Sequence, residues 1–183
     1  METTIIWKRV DGTGMEYCMH SLGERTSIRG RVIRAEKNES SFVDYSVICD
    51  ESGNTVEVDI DYIRQHEVQT MRLRKDAEHR WTRDGIPLPE LDGLLDIDIG
   101  ATPSTNVLPI RRLGLKVGDS AEVTAAWVRF PEFDVMPLQQ IYTRLQDGEY
   151  EYRSVSGYTA LLKTDAEGII HEYEGEWTES IKL

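Results

Sequence analysis

The chain has 183 residues, of which 39% are hydrophobic and 30% charged, and its formal net charge is -12 at pH 7. This length and hydrophobic content predict a single folded domain over residues 1–183 and argue against a disordered chain. An acidic surface repels phosphate backbones, and no apolar run approaches the length of a membrane span, so we expect neither a nucleic-acid partner nor a membrane-embedded protein.

The N-terminal residues 1–7 lack the basic start, apolar region and cleavage site of a secretory signal, which predicts a cytoplasmic protein. Cys18 and Cys49 have no CxxC spacing, so we expect two reduced thiols in that compartment. The four histidines lie far apart without HxH or HExxH spacing. The sequence therefore predicts no metal site and no cofactor.

Alternation of apolar and polar residues with a period of two dominates the chain. It is clearest at Val56, Val58, Ile60 and Tyr62, which alternate with acidic residues and predict a half-buried strand. Further strands are expected over residues 27–35, 42–49, 121–130, 139–145, 150–155, 158–163 and 169–173. Asp-Gly pairs at residues 84–85 and 147–148 favour tight hairpins, since positive φ angles cost little there.

No window has the pattern of a long amphipathic helix, and short helical turns are expected only near residues 88–94 and 102–106. Short strands with frequent turns predict an antiparallel meander that bends toward closure. The predicted fold class is therefore mainly β, a curled antiparallel sheet or incomplete β-barrel (a roll), with one or two short helices.

The segment Leu94–Leu113 combines carboxylates, prolines, a polar turn and an arginine pair within an apolar stretch. Asp96 and Asp98 alternate with apolar residues, so a strand would place both carboxylates on one face. Pro103 and Pro109 prevent the segment from continuing as one regular element. The two carboxylates are therefore candidates either for binding ligand hydroxyls or for acid–base chemistry.

Arg111 and Arg112 follow this bend and would face opposite sides of an extended strand. One of them, placed at a pocket opening, could bind a phosphate, sulfate or carboxylate head group with its two-pronged guanidinium. The alternative is an arginine–aspartate pair with Asp96 or Asp98 that only holds the fold together. Trp127, flanked by small residues, is a candidate for lining interior space beside the opening.

The same segment resembles a bacterial family described as "Putative glycolipid-binding". The matching pieces are Asp92-Gly93, Asp96-Ile-Asp98, Thr102-Pro103, Thr105-Asn106 and Leu108–Leu113, together with Trp7, Glu16, Gly30–Val32, Val43–Tyr45, Trp81–Gly85, Gln140–Tyr142 and Tyr158–Gly168. Ser104 stands where the family pattern usually has Phe. The resemblance spans nearly the whole chain and implies a half-open β-barrel similar to lipoprotein carriers.

The resemblance implies a non-catalytic binding protein that holds a lipid or glycolipid-like amphipathic molecule in a half-barrel cavity. The residues expected to contact this ligand are Asp96, Asp98, Asn106, Arg111, Arg112, Trp127 and Tyr142. Two alternatives stay open. One is an enzyme for a small substrate that uses Asp96 or Asp98 with an arginine as anion clamp. The other is a structural homodimer module without a ligand.

Overall fold

A computed structural model describes residues 1–36 and 39–183 of the chain. The structure as described is 59% strand and 7% helix, which confirms the mainly β prediction. The first eight strands are β1 (Glu2–Arg9), β2 (Gly14–Ser21), β3 (Ser27–Glu36), β4 (Glu39–Cys49), β5 (Thr55–Arg64), β6 (Glu67–Lys75), β7 (Trp81–Arg83) and β8 (Ile86–Pro87). The remaining seven are β9 (Asp96–Ile99), β10 (Ser120–Val128), β11 (Val135–Gln146), β12 (Glu149–Ser154), β13 (Thr159–Thr164), β14 (Ile170–Tyr173) and β15 (Trp177–Lys182).

All of these strands belong to one sheet, in the order β8-β7-β6-β5-β4-β3-β2-β1-β15-β14-β13-β12-β11-β10-β9. The first and last strands pair antiparallel in the middle of the sheet, so two meanders extend from a central seam. Among the strand pairs of residues 1–36 and 39–183, only the final one, β9 with β10, is parallel. The sheet is not closed into a barrel, and the predicted curled antiparallel sheet is confirmed.

Strand β5 follows the predicted alternation. Val58, Ile60 and Tyr62 are buried in the core on the concave side, while the acidic residues between them face outward. There Asp61 pairs with Arg72 at 2.6 Å, and Asp59 pairs with Arg74 at 2.6 Å, both across to β6. Both are diagonal pairs of opposite charge on neighbouring strands, and such pairs stabilise the strand pairing on this outer surface.

Strand β2 inverts this arrangement. Its outward residues Met15 and Tyr17 are exposed, whereas Glu16, Cys18 and His20 point into the core and are almost completely buried. Burial of polar groups is costly unless they find partners, so this strand carries an interior polar network rather than an apolar face.

The segment between β8 and β10 enters the concavity of the sheet. It contains two 3₁₀ helices, Pro89–Leu91 and Ser104–Asn106, then β9 and the helix α1 (Val107–Leu113). Residues 101–110 are all buried, with Val107 in the larger apolar core and Ile110 in a second, smaller one. The interior of the curled sheet is thus largely filled by the chain's own segment.

The arginine pair does not lie on a strand, so that expectation was wrong. Arg111 and Arg112 occupy the last turn of α1, which ends at Gly114 with a left-handed φ of 53°. Pro109 is accommodated in the first helical turn, where a missing N–H costs nothing. Cations are favoured at this end of a helix because its unpaired carbonyl groups carry partial negative charge.

Across the described residues, the helices found are all too short or too polar to span a membrane. The same part of the chain contains no group of three or more His, Cys, Asp or Glu side chains arranged to hold a metal ion.

Candidate functional site

Strand β9 places its two carboxylates on one face, as the alternation predicts. Ile97 and Ile99 point into the larger core, while Asp96 and Asp98 share the opposite side. Asp98 lies beside Trp127 in the parallel pairing with β10. Although they are only two residues apart, the two carboxylates have different surroundings.

Asp96 forms a closed ion pair with Arg112. Its side chain is 1% exposed, and the guanidinium donates from Nε at 3.2 Å and from a terminal nitrogen at 2.5 Å to the two carboxylate oxygens. This two-pronged geometry fixes α1 against β9. The arginine–aspartate pairing considered from the sequence is therefore present at Asp96.

Arg111 points to a different part of the surface. It donates to the carbonyl oxygen of Glu167 at 2.9 Å and to the carboxylate of the same residue at 3.2 Å. Arg111 and Arg112 both line a depression near residues 23–26 and 50–53, and Asp98 is not part of its lining. The structure thus does not bring an arginine clamp together with the second carboxylate.

Asp98 instead lies in a cleft of about 230 Å³ on the concave side of the sheet. Asn106 and Trp127 also line this cleft, and Tyr142 lies behind it, donating from its hydroxyl to Asn106 Oδ1 at 2.8 Å. The cleft is lined by Arg9, Asp98, Gly100, Thr102, Pro103, Asn106, Trp127, Phe130, Leu138, Tyr152, Ser154, Ser156, Tyr158, Tyr173, Glu176 and Trp177. Four of the seven residues predicted from the sequence are therefore gathered here.

The carboxylate of Asp98 has a single hydrogen-bond donor in the described structure, Gln140 Nε2 at 2.6 Å. Burial raises the pKa of Asp98 to about 6, because the hydrogen bond from Gln140 only partly offsets the loss of solvent. No ion pair to Asp98 is found among the described residues. The group is thus neutral at mildly acid pH and negatively charged above it.

Tyrosine rings form one wall of the cleft. The ring centroids of Tyr152, Tyr158 and Tyr173 lie 6.2 to 6.5 Å from one another. Burial is the largest cause that raises the pKa of each of these hydroxyls, so all three stay neutral at physiological pH. The wall therefore offers ring faces together with hydroxyl groups that donate and accept hydrogen bonds.

The outer rim of the cleft carries a charged group of three residues. Arg9 pairs with Glu176 and with Asp11, and its guanidinium lies 5.4 Å from the ring centroid of Trp177. Glu176 lies in the hairpin turn between β14 and β15, so this turn brings a second acidic side chain to the cleft.

A buried polar network lies directly beneath the cleft. Thr102, which lines the cleft, is within hydrogen-bond distance of both carboxylate oxygens of Glu16, at 2.8 and 2.6 Å. The hydroxyl of Tyr45 donates to the same carboxylate and lies 2.5 Å from the hydroxyl of Ser104. Burial raises the pKa of Glu16 to about 7, since these hydrogen bonds offset only part of the desolvation.

Gly30 makes room for this network. A β-carbon at this position would lie 2.2 Å from the Tyr45 hydroxyl, so only glycine lets the ring cross the neighbouring strand. On the other side, Cys18 Sγ lies 3.5 Å from the same hydroxyl. His20 is buried next to it, and Nε2 of its ring has no hydrogen-bond partner in the described structure.

Sequence reasoning did not single out Gln140, Glu176 and the tyrosine wall as site residues. Tyr173 faces Trp177 across the hairpin between β14 and β15, and a strand-pairing prediction could have found this pair. Neither residue can be related to Asp98 without the full strand order, because four strands, β10 to β13, lie between β9 and β14 in the sheet.

The described elements define an open, curled and mainly antiparallel sheet whose concave side forms an aromatic-lined cleft at Asp98. Residues 4–179 match the family model described as "Putative glycolipid-binding", and the chain belongs to this family. It is similar to a DUF1089 family protein from Pseudomonas aeruginosa of known crystal structure, with 30% identity and a TM-score of 0.78. That match covers 87% of this chain and 89% of the other. A search of curated proteins gave no match.

Proposed function

We propose that the protein is a non-catalytic binding protein for an amphipathic, glycolipid-like molecule whose polar head enters the cleft at Asp98. The observation that carries this proposal is the combination of a carboxyl group and aromatic rings in one concavity. Ring faces pack against the apolar faces of a head group, while a carboxylate and hydroxyls bind its polar atoms. The family description agrees with this kind of ligand.

The size of the cleft limits what enters it. About 230 Å³ is below the roughly 300 to 1,000 Å³ of pockets that enclose a drug-sized molecule. The volume suits one small ring or a group of similar size, and the core around residues 101–110 is packed. In our proposal the hydrocarbon part of the ligand therefore remains outside this cleft.

Binding is tested with octyl glucoside below its micelle concentration, measured by isothermal titration calorimetry. We expect Trp127→Ala to weaken the affinity about three- to tenfold, since an aromatic contact contributes roughly 0.5 to 1.5 kcal/mol. The matched control is Tyr17→Ala, because this ring is exposed on the outer face of β2. Equal affinities of the wild type and both variants would show that the ligand does not bind in this cleft.

A catalytic role is a second candidate, favoured by the raised pKa of Asp98 in a cleft. The enzyme predicted from the sequence used Asp96 or Asp98 together with an arginine. Asp96 and Arg112 are paired with each other, so only Asp98 is left as the candidate acid or base. The catalytic role is tested by incubating the protein with nitrophenyl glycosides and following nitrophenol release. Turnover that Asp98→Asn abolishes would support catalysis, whereas rates equal to the uncatalysed reaction would count against it.

A further inference from the structure

The charges in the cleft are unbalanced. Of the residues that line it, Arg9 is the single cation, whereas Asp98 and Glu176 are both acidic. Arg9 is already engaged, because it pairs with Glu176 and with Asp11. Asp98 therefore faces the cleft without a cation of its own in the described part of the chain, and Gln140 provides only a neutral donor.

The aromatic lining is of a kind that binds cations. The face of an aromatic ring carries partial negative charge and attracts a positive group within about 6 Å. Two rings of the cleft already contact an arginine in this way. Arg9 lies 5.4 Å from the centroid of Trp177, and Arg129 lies 5.9 Å from the centroid of Trp127. The aromatic residues that line the cleft are Trp127, Phe130, Tyr152, Tyr158, Tyr173 and Trp177.

We infer that the cleft selects a head group with a positively charged nitrogen, such as an amino sugar or a choline-type quaternary ammonium, over neutral and anionic head groups. This inference rests on the proposed function. The nitrogen would supply the missing counter-charge for Asp98 and pack against the tyrosine wall. An anionic head group would be repelled by the carboxylates of Asp98 and Glu176, and neither Arg111 nor Arg112 lines the cleft to offset them.

Primary and quaternary ammonium groups share the charge but differ in hydrogen bonding. A primary ammonium donates to the carboxylate of Asp98 and to the tyrosine hydroxyls, whereas a quaternary one interacts only through charge and the ring faces. The probes are therefore two matched pairs. Choline is compared with its neutral isostere 3,3-dimethylbutan-1-ol, and glucosamine is compared with glucose, with glucuronate as the anionic arm.

Affinities are measured by calorimetry at pH 7.0, where most of the Asp98 carboxyl groups are ionised. We expect at least one cation to bind about tenfold or more tightly than its neutral partner. Asp98→Asn should reduce that preference to threefold or less, whereas Asp147→Asn, an exposed change away from the cleft, should retain it. Lowering the pH to 5 should weaken the preference in the wild type.

The outcomes separate this inference from the proposed function. If glucose or octyl glucoside binds and neither cation is preferred, the charge selection is wrong and the binding function stands. If no probe binds the wild-type protein, both proposals fail. Should Asp98→Asn not fold, as judged by circular dichroism, the paired comparisons on the wild type and their pH dependence still decide the question.

Discussion

Arg112→Met is expected to lower the free energy of unfolding by about 3 to 5 kcal/mol. The substitution leaves the carboxylate of Asp96 buried without its counter-ion, because that side chain is only 1% exposed and the arginine is its ion-pair partner. The methionine retains much of the apolar stem, so the loss reports on the charge rather than on packing. Urea denaturation at pH 7 measures the change.

The neighbouring residue provides a matched control. Arg111→Met removes an ion pair with Glu167 in which both side chains are more than one third exposed. Such pairs contribute about 0 to 1 kcal/mol, so this change should be small. The double variant Asp96→Asn with Arg112→Met should recover part of the loss, since the buried carboxylate that loses its arginine is then replaced by a neutral amide. Equal costs for Arg111→Met and Arg112→Met would contradict the closed ion pair.

The free energy of unfolding of Glu16→Gln is expected not to exceed that of the wild type near pH 4.5. Relative to the wild type, it should then increase as the pH rises to 7. Burial raises the pKa of Glu16 from 4.5 to about 7 in the folded protein. Between these values the folded state binds more protons than the unfolded state, so the stability that Glu16 contributes is complete below pH 4.5 and is lost as the pH rises. The difference in free energy of unfolding between Glu16→Gln and the wild type should change by about 3 kcal/mol over this pH range.

The comparison with a variant is needed because other groups titrate in the same range. Burial lowers the pKa of His20 to about 4, so its contribution rises with pH and opposes that of Glu16. Asp98, with a pKa raised to about 6, acts in the same direction as Glu16. Subtracting the stability of Glu16→Gln isolates one group, with Glu24→Gln on the exposed surface as control. A difference independent of pH would contradict the buried, titrating carboxyl.

Local alternation was sufficient to predict several parts of the fold. It identified β5, and it placed Asp96 and Asp98 on one face of a strand. The Asp84-Gly85 pair forms the tight turn between β7 and β8, with φ angles of 51° and 82° as this dipeptide favours. These features depend only on residues that are close together in sequence, so the local sequence pattern predicts them.

The arginine pair was misplaced because the proline was interpreted as a break. Pro109 instead occupies the first turn of α1, and Gly114 ends the helix. Proline near the start and glycine just after the end are typical of a short helix, so the signal was present. With this assignment, Arg112 reaches Asp96 from the last turn, an ion pair between residues 16 apart.

The interior polar network could not be predicted from alternation. On β2 the apolar residues Met15 and Tyr17 face outward and Glu16 faces inward, so the ordinary rule assigns the strand the wrong buried face. The polar face of β2 is buried because Tyr45 and Thr102, which are distant in sequence, donate hydrogen bonds to Glu16. Such partners depend on the complete strand order, as does the tyrosine wall.

Mapping the binding of octyl glucoside by two-dimensional NMR tests most directly whether the cleft at Asp98 is the ligand site. We predict shifts concentrated at the backbone amides of Gly100 and Asn106, the side-chain amide of Gln140 and the indole N–H of Trp127, which line or adjoin the cleft. Shifts confined to the outer face of the sheet or to the depression at Arg111, with these signals unchanged, would contradict a ligand site in the cleft.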